Sequence, residues 1–418
     1  MYCSAPRIDQ LAGMQFYCTL FDGIGGSIKQ RSQWFRVSEI IDESFIESLS
    51  TIQDTKYRFP IYILEKRNLD SNHAVLEVER ETGIKLKVLG IKDAKAATEQ
   101  YATSHKTKNS PTIVKTRNAL VSLKGFARIP LTKDLLRGNE FRITVSNPRS
   151  SEISSFVDEI DKIPNFYGLQ RFGSERLVTH LIGRQIVKRN FGKAIELILS
   201  YTTEYESPFS VEIRNMSRDP SNYPRLLRQL PKGMDTEYEV MSALMDGKGP
   251  VAAIRCIPIR IRRLFVHAYQ AYIFNKCLSN AVLDGEGLST AKPGDLCFES
   301  PGPLIFGKIK KFNPDIDSVS KTVPAVRLVG YTFQPGKGRL DVITTNIMQQ
   351  ESVTPRDFYI KEMDELSSPG GFRQSKLGCS GFMHQGSLSL FFKLPKGSYA
   401  TTLLRELMKP EDPIKSGF

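Results

Sequence analysis

One acidic residue, Asp93, follows a point where the sequence predicts a sharp change of backbone direction. The run Ile84–Leu89 alternates apolar and basic residues, which predicts a strand, and Gly90 ends it. A glycine at a strand end lets the backbone turn sharply or approach a ligand closely. Asp93 is the first residue beyond this turn whose side chain could do chemistry, with Lys92 before it and Lys95 after it. Taken alone, the pattern also fits a surface turn in which Asp93 caps the next segment.

A second stretch, Asn165–Gly173, combines amide, guanidinium and aromatic side chains with two glycines. Asn165 and Gln170 supply the amides, Arg171 supplies the guanidinium, and Tyr167 is one of three aromatic residues. A base that has left an RNA stack needs an aromatic face together with fixed donors and acceptors. A buried corner of the core, in which the aromatic rings are simply packed, is the structural alternative.

Length and charge narrow the class of protein. The 418 residues exceed one average domain, so we expect two, and 40% hydrophobic residues can build their cores. The net charge of +13 favours a polyanionic partner without choosing between nucleic acid, a membrane surface and mere solubility. The tract between residues 106 and 128 is rich in lysine and arginine and could follow an RNA backbone, although a solvated face explains it equally well.

Other sequence features point to a cytoplasmic protein that needs no metal. Six cysteines are scattered without a C-x-x-C pair, which indicates reduced thiols, and five histidines lack ligand spacing. No window reaches the ~18 apolar residues of a membrane span, and the N-terminal stretch does not have the pattern of a signal peptide. The glycines near Gly25 lack the spacing of a phosphate-binding loop, so we expect no nucleotide cofactor.

The elements that must position these residues can be predicted from local signals. A strand is expected at Phe35–Ile40, and a helix capped by Asn72 and stopped by Gly83 should lead into the strand before Asp93. Residues 175–199 predict a helical region with breaks at Gly183 and Gly192.

The string that contains Asp93 resembles a family signature. It matches the G-x-K-D-x-x-A-x-T-x-Q pattern of the TruD family of pseudouridine synthases at Gly90, Lys92, Asp93, Ala96, Thr98 and Gln100. The stretch 165–173 is similar to the family's N-[YF]-[FY]-G-x-Q-R-F-G motif. In that motif the base-stacking residue is commonly a phenylalanine, and Tyr167 stands at its position.

Both ends of the chain extend the resemblance, which covers nearly the whole sequence with its anchors in the family's order. Lys29 and the strand 35–39 fall on the family's opening motif, although Trp34 replaces an aspartate there. The tail that includes residues 399–406 is close to the family's L-P-x-G-S-[YF]-A-T-x-x-[LV]-R-E pattern, which begins at Leu394. The stretch 176–183 is similar to the archaeal branch. We expect Trp34 to be hydrophobic cover for the sheet.

The resemblance implies a fold class and a division into domains. It implies a mixed α+β fold: a pseudouridine synthase catalytic domain with a largely antiparallel sheet, an inserted α/β domain, and an RNA cleft between them. We place the discontinuous catalytic domain at residues 1–190 and 373–418, and the insertion at residues 191–372. Residues 138–141 resemble the family's G-N-x-F strand, to which we assign a structural role.

The resemblance also implies a reaction, namely isomerisation of a uridine in tRNA, at position 13 of the D-arm, to pseudouridine. Asp93 is the expected catalytic carboxylate, and it acts either as a nucleophile on C1′ or along a glycal route. A nearby cation, Lys29 by family position, would keep Asp93 ionised. The expected substrate-binding residues are Lys29, Lys92, Asn165, Tyr167, Gln170 and Arg171. The implied partner is tRNA, with no metal or organic cofactor, no membrane and no required oligomer.

Two alternatives to a pseudouridine synthase are a non-catalytic RNA-binding protein and a nucleotide-dependent enzyme. A non-catalytic basic RNA-binding protein on a synthase scaffold gains modest support from Trp34, whereas the intact Asp93, Lys29 and Asn165 argue against it. A nucleotide-dependent RNA-modifying enzyme is disfavoured by the missing phosphate loop.

Overall fold

A computed structural model describes residues 3–90, 92, 94–104, 110–231, 233–386 and 388–418. Within these ranges the N-terminal and C-terminal parts of the sequence form a large mixed sheet. The middle of the sequence forms a helical region and a smaller sheet. The strands are β1 (Phe35–Ile41), β2 (Phe59–Lys66), β3 (Leu86–Val88), β4 (Ala97–Ser104), β5 (Ile113–Lys115), β6 (Ala119–Ala127), β7 (Leu136–Thr144), β8 (Leu296–Glu299), β9 (Ile309–Lys311), β10 (Thr322–Leu328), β11 (Gly371–Gln374), β12 (Ser380–Gln385) and β13 (Ser389–Pro395).

The helices concentrate in the middle of the chain. They are α1 (Arg7–Leu11), α2 (Glu43–Glu47), α3 (Ser71–Thr82), α4 (Ser154–Val157), α5 (Thr179–Val187), α6 (Phe191–Ser200), α7 (Pro208–Met216), α8 (Tyr223–Gln229), α9 (Asp235–Met245), α10 (Pro250–Cys256), α11 (Ile259–Leu283), α12 (Arg339–Gln350) and α13 (Ala400–Met408). A short 3-10 helix, Leu169–Phe172, lies within the second sequence motif.

The larger sheet joins strands from the two ends of the sequence. Among the described residues its order is β12-β13-β7-β1-β4-β2-β6-β5, with β3 added beside β4. The pair β1–β4 is parallel and the other pairs are antiparallel, so the expected mixed fold with a largely antiparallel sheet is confirmed. Since β13 pairs with β7 over its whole length, the tail of the chain completes the sheet that the first residues begin.

The two faces of this sheet differ. The alternation in β1 buries Phe35, Val37 and Ile41, while Arg36 points to the other, solvent-facing side. Helix α13 covers the buried side at one end and α3 covers it at the other. A pocket with mixed apolar and polar walls lies on this buried side, next to the start of α13.

Helix α3 has conventional ends, although one of them is shifted from the prediction. Gly83 terminates the helix in the left-handed conformation (φ 73°), as expected. The N-cap is Asp70 rather than Asn72, because the Asp70 carboxylate accepts hydrogen bonds from the backbone N–H groups of Asn72 and His73. Ser71 therefore occupies the first helical turn, where its hydroxyl contributes to the site.

The helical region packs around α11, which is buried along most of its length. Helix α5 crosses α11 at Gly183, where an added Cβ would collide with the backbone carbonyl of Phe265. The expected break at Gly183 is wrong, since this glycine lies inside α5 and permits the close crossing. The smaller sheet, ordered β11-β10-β8-β9, flanks these helices and delivers β11 to the back of the candidate site.

Candidate active site

A hydrogen-bonded chain holds the backbone on the N-terminal side of Asp93. The Gln100 Nε2 donates to the carbonyl oxygen of Gly90 at 2.8 Å, and the Ser71 hydroxyl donates to Gln100 Oε1 at 2.6 Å. The Lys92 N–H in turn donates to Ser71 Oγ at 2.9 Å. Because Ser71 and Gln100 are both fully buried, α3 and β4 fix the segment at 90 and 92 from two sides.

The Lys92 side chain turns inward and meets a carboxylate. Its Nζ lies 2.6 Å from Asn139 Oδ1 and 3.2 Å from Glu39 Oε1. The Lys92 side chain is 14% exposed and that of Glu39 is 0% exposed. Glu39 Oε2 accepts a hydrogen bond from the backbone N–H of Tyr101, so the pair is tied to β1, β4 and β7 together. The predicted substrate-binding residue Lys92 is thus part of a neutralised, largely buried ion pair.

Asp93 itself lies outside the described residues, but its neighbours border two pockets. Lys92 lines a pocket of about 170 Å³ on the buried side of the sheet. Ala94 and Lys95 line a second pocket of about 440 Å³. Gln170 lines both, so the two pockets meet at the second motif.

The smaller pocket collects residues from stretches that are far apart in sequence. Phe35 comes from the opening strand, Lys92 from the first motif, Asn139 from β7, Gln170 from the second motif and Tyr399 from the tail. Four of these five lie in the anchoring motifs of the resemblance, and Asn139 lies in the G-N-x-F strand to which we assigned a structural role. The fold therefore brings the motifs to one place, with apolar walls and a few polar groups.

Asn165 lies beneath this pocket rather than in it. Its side chain is fully buried, with Nδ2 donating to the Gln374 carbonyl at 3.3 Å and Oδ1 accepting from Arg373 Nη2 at 3.0 Å. Its backbone N–H donates to the Ser375 carbonyl at 2.8 Å. Asn165 consequently anchors the start of the second motif to the region around β11.

Tyr167 is half-buried and fixed at its backbone. The Asn275 side chain accepts from the Tyr167 N–H at 2.8 Å and donates to its carbonyl at 3.0 Å, which pins the motif to α11. The ring centroid lies 5.4 Å from that of Phe274 and 6.0 Å from that of Tyr399, edge to face in both cases. The orientation of this ring is therefore set by α11 and by the tail.

Gln170 and Arg171 occupy the short 3-10 helix that follows. Arg171 Nε donates to the Tyr399 hydroxyl at 3.2 Å, and its guanidinium carbon lies 5.4 Å from the Tyr167 ring centroid. Gly168 precedes them because a Cβ there would lie 2.8 Å from Thr401 Oγ1. The tail and the second motif are thus packed in direct contact.

Lys29 and Trp34 lie near the opening strand. Lys29 adopts a left-handed backbone (φ 58°), lines the larger pocket and places Nζ 5.1 Å from the Phe35 ring centroid. Trp34 is half-buried, with the Arg31 guanidinium 4.8 Å from its ring, and it lines neither pocket.

An exposed row of basic residues on α11 runs beside the site. Arg260, Arg263 and His267 have the spacing of one helix face. Arg260 Nη1 donates to Asn72 Oδ1 on α3 at 3.4 Å. Although His267 is exposed, partial desolvation by the groups packed around it, together with the charges of Arg171 and Arg263, lowers its pKa. The row therefore extends from α3, next to the first motif, to Arg171 in the second.

Sequence reasoning missed several of these contributors. Ser71 and Arg373 carry no motif signal because their partners lie far away in the chain. Asn139 carries a family signal, but nothing in its own strand shows that Lys92 is its partner. Asn275 has a weak signal, since it follows Phe274 in a Phe-Asn pair that resembles a helix end in the family. Only the folded chain brings them to the motifs.

The described ranges give no sign of two other kinds of site. In that part of the chain no group of three histidine, cysteine or acidic side chains is placed to hold a metal ion. No described helix combines the length and the apolar character needed to cross a bilayer.

Comparison with solved structures shows the class of fold. The crystal structure of the putative tRNA pseudouridine synthase D (TruD) from Methanosarcina mazei superposes with a TM-score of 0.75 at 28% sequence identity, covering 98% of this chain and 99% of that one. The α+β architecture is thus that of a pseudouridine synthase, a class of isomerases.

Comparison of sequences gives the particular family. A model of tRNA pseudouridine synthase D (TruD) matches residues 11–407. The chain is 30% identical to the probable tRNA pseudouridine synthase D of Methanococcoides burtonii, with 99% of each protein covered. It is 32% identical to that of Methanopyrus kandleri, over 84% of this chain and 86% of the relative. The chain belongs to the tRNA pseudouridine synthase D family, which confirms the resemblance seen in its motifs.

Proposed function

We propose that this pseudouridine synthase isomerises uridine 13 in the D-arm of tRNA, with Asp93 as the group that meets the sugar. The observation that carries the proposal is the convergence of four separate sequence motifs on one pocket of about 170 Å³. That space suits one pyrimidine base, and a base can enter it only after leaving its stack. Position 13 comes from the family resemblance and is the finer part of the proposal.

The proposed chemistry needs a single carboxylate. Breaking the N1–C1′ bond builds positive charge on the sugar, which a carboxylate stabilises or captures. The uracil is retained and then rejoined through C5, so no water has to be activated and no redox cofactor is consumed. Asp93 attacks C1′ in one version, and C2′ loses a proton to give a glycal in the other.

The contacts of the site suggest how the other predicted residues divide the work. Tyr167 and Tyr399 present half-buried rings for stacking, and Gln170 lines the pocket. Asn165 and Lys92 hold the protein around the pocket in place, because their polar atoms bond to other protein groups. Lys29 contributes positive charge beside the larger pocket.

RNA binding is supported by the basic row on α11. Arg260 and Arg263 are exposed on α11, and Arg260 contacts Asn72 on α3, the helix that leads to the first motif, so their charges suit contacts with an RNA backbone. These exposed arginines support the further proposal of an RNA cleft between the catalytic domain (1–190 and 373–418) and the insertion (191–372). A cytoplasmic monomer satisfies everything that this proposal requires.

The test compares wild-type protein with Asp93→Asn on a tRNA transcript. We expect the wild type to form pseudouridine at one position, mapped at nucleotide resolution, and Asp93→Asn to form none while binding tRNA as before. The substitution removes the charge and keeps the shape, so lost binding is not expected.

The matched control makes the same chemical change away from the site. Asp134→Asn alters an exposed carboxylate that lines neither pocket, and it should keep the wild-type rate. Pseudouridine formation at the normal rate by Asp93→Asn would overturn the role of Asp93. A wild type that binds tRNA without forming pseudouridine would favour the non-catalytic RNA-binding alternative. Pseudouridine at a position other than 13 would show that the proposed target position is wrong, while the proposed reaction would stand.

A further inference from the structure

Arg373, on β11, is a buried cation whose hydrogen bonds go to neutral oxygens. The residue is 6% exposed. Its Nε and Nη2 donate to the Asn165 carbonyl at 3.1 and 3.0 Å, and Nη1 donates to the Gly397 carbonyl at 2.6 Å. Nη2 also reaches Asn165 Oδ1 at 3.0 Å. Within the described ranges no carboxylate forms an ion pair with this guanidinium.

The same guanidinium lies against two tyrosine rings, one of which, Tyr399, lines the smaller pocket. Its carbon is 4.0 Å from the ring centroid of Tyr167 and 5.9 Å from that of Tyr399. Arg171 approaches the same two tyrosines, and the described residues give it no carboxylate partner either. Two guanidinium groups therefore stand beside half-buried rings, with no described negative charge to neutralise them.

Such an arrangement is costly in a folded protein. Burial of a charge is normally offset by an opposite charge or a metal, and carbonyl oxygens satisfy the N–H groups without cancelling the charge. In a low-dielectric site the remaining positive potential is felt strongly by any anion that forms nearby. Tyr399, whose ring lies beside this guanidinium, lines the smaller pocket, where such an anion would form.

We propose that Arg373 is a positioning residue with an electrostatic role, acting through Tyr167 and Tyr399 on the uracil that is released during the reaction. This inference rests on the proposed function. When the N1–C1′ bond breaks, its electron pair leaves with N1, and the detached uracil carries a negative charge until C5 bonds to C1′. C5 then loses its proton, N1 gains one, and the atoms of uridine are conserved. The guanidinium lowers the barrier by favouring this anion.

A purely structural role makes a different prediction. Arg373 also ties the second motif to the turn at Gly397, so its loss could slow the reaction simply by loosening both. A structural defect slows cleavage of any target nucleoside equally. An electrostatic defect depends on how well the leaving base carries negative charge by itself.

The experiment therefore changes the leaving base. Two tRNA transcripts carry uridine or 5-fluorouridine at the target, because fluorine withdraws electrons and stabilises the uracil anion. Loss of the target nucleoside is followed by digestion and mass spectrometry under single-turnover conditions with enzyme in excess. The full-length wild type, Arg373→Lys and Arg373→Gln are compared, with filter binding of tRNA and thermal unfolding measured for each.

We expect Arg373→Gln to cleave the uridine substrate about 100-fold more slowly than the wild type, and the 5-fluorouridine substrate only about tenfold more slowly. Arg373→Lys, which keeps a charge without the fork, should lose about tenfold on uridine and about threefold on 5-fluorouridine. Because both variants test the same ratio, the lysine variant suffices if the glutamine variant does not fold.

The matched control is Arg214→Gln, which removes a buried arginine that is paired with Glu206 and Glu237 away from the pocket. It should lower stability and leave the ratio of the two substrates as in the wild type. Equal losses on the two substrates in the Arg373 variants would overturn the inference and leave a structural clamp. A wild type that cleaves neither substrate would refute the proposed function instead.

Discussion

Two cations buried near the pocket, Lys92 and Arg373, have opposite surroundings. Lys92 is matched by the Glu39 carboxylate at 3.2 Å, so its corner is nearly neutral. Arg373 is surrounded by carbonyl oxygens and aromatic rings, so among the described residues its corner has no carboxylate to cancel the positive charge. The comparison suggests a division of labour in which the neutral corner fixes the backbone before Asp93, and the positive corner acts on the base.

The largest effect is expected when one partner of the Lys92–Glu39 pair is removed, which tests whether this corner is held by charge neutralisation. Lys92→Met should lower the free energy of unfolding by about 3–5 kcal/mol, because it leaves the Glu39 carboxylate buried and unpaired. Urea denaturation followed by circular dichroism measures this loss. The double variant Lys92→Met with Glu39→Gln should recover part of it.

A matched exposed pair supplies the control. Lys193 and Glu196 lie 2.5 Å apart on the surface of α6, and Lys193→Met should change stability by less than about 1 kcal/mol. If Lys92→Met were as mild as this control, Lys92 would not be held as a neutralising partner. Its predicted role in binding substrate would then become the better explanation.

Local sequence signals predict much of the secondary structure that surrounds Lys92 and Arg373. The alternation in β1 and the glycine that ends α3 can be found in the sequence because they depend on neighbouring residues. The N-cap is misplaced at Asn72 because Asp70 and Asn72 are both good caps, and only the folded chain shows which side chain accepts the bonds. The break predicted at Gly183 is wrong because a helix about 80 residues later needs that glycine for close packing.

The site itself is only partly predictable. The two motifs can be found because their residues are consecutive, and the structure shows their neighbours meeting at one pocket. Arg373 and Ser71 cannot be identified as site residues from the sequence, since an arginine or a serine acquires such a role only from the residues that it contacts in the fold. Asn165 is 208 residues from Arg373 in sequence, and no local pattern encodes such a contact.

The positive corner can be probed more gently through the ring that faces it. Tyr167→Ala should slow pseudouridine formation about 30- to 100-fold while the fold is kept, because it removes one stacking surface for the base. Single-turnover assays on the tRNA transcript measure this change. Tyr167→Phe is the control that retains the ring, and it should lose less than about fivefold if stacking dominates. A Tyr167→Ala rate equal to that of the wild type would rule out the stacking role.

His180 is a third buried basic side chain. It differs from Lys92 and Arg373 because burial keeps it in the uncharged form. It is stacked on Tyr272 with ring centroids 5.1 Å apart, and Nδ1 has no hydrogen-bond partner among the described residues. Burial, with a smaller effect from Arg184, lowers the pKa of His180 from 6.5 to about 3. Between these values the unfolded chain binds a proton that the folded chain does not, so this contribution to stability is complete above pH 6.5 and declines as the pH falls.

The wild type should therefore lose roughly 2 kcal/mol more stability between pH 7 and pH 5 than His180→Gln does, at a cost of 1.36 kcal/mol per pKa unit. Urea unfolding at the two pH values gives the difference, and the exposed His384→Gln should keep the wild-type slope. Parallel slopes for the wild type and His180→Gln would mean that His180 gains a proton inside the fold. In that case burial would not distinguish His180 from Lys92, which is paired with Glu39, or from Arg373, which donates to carbonyl oxygens.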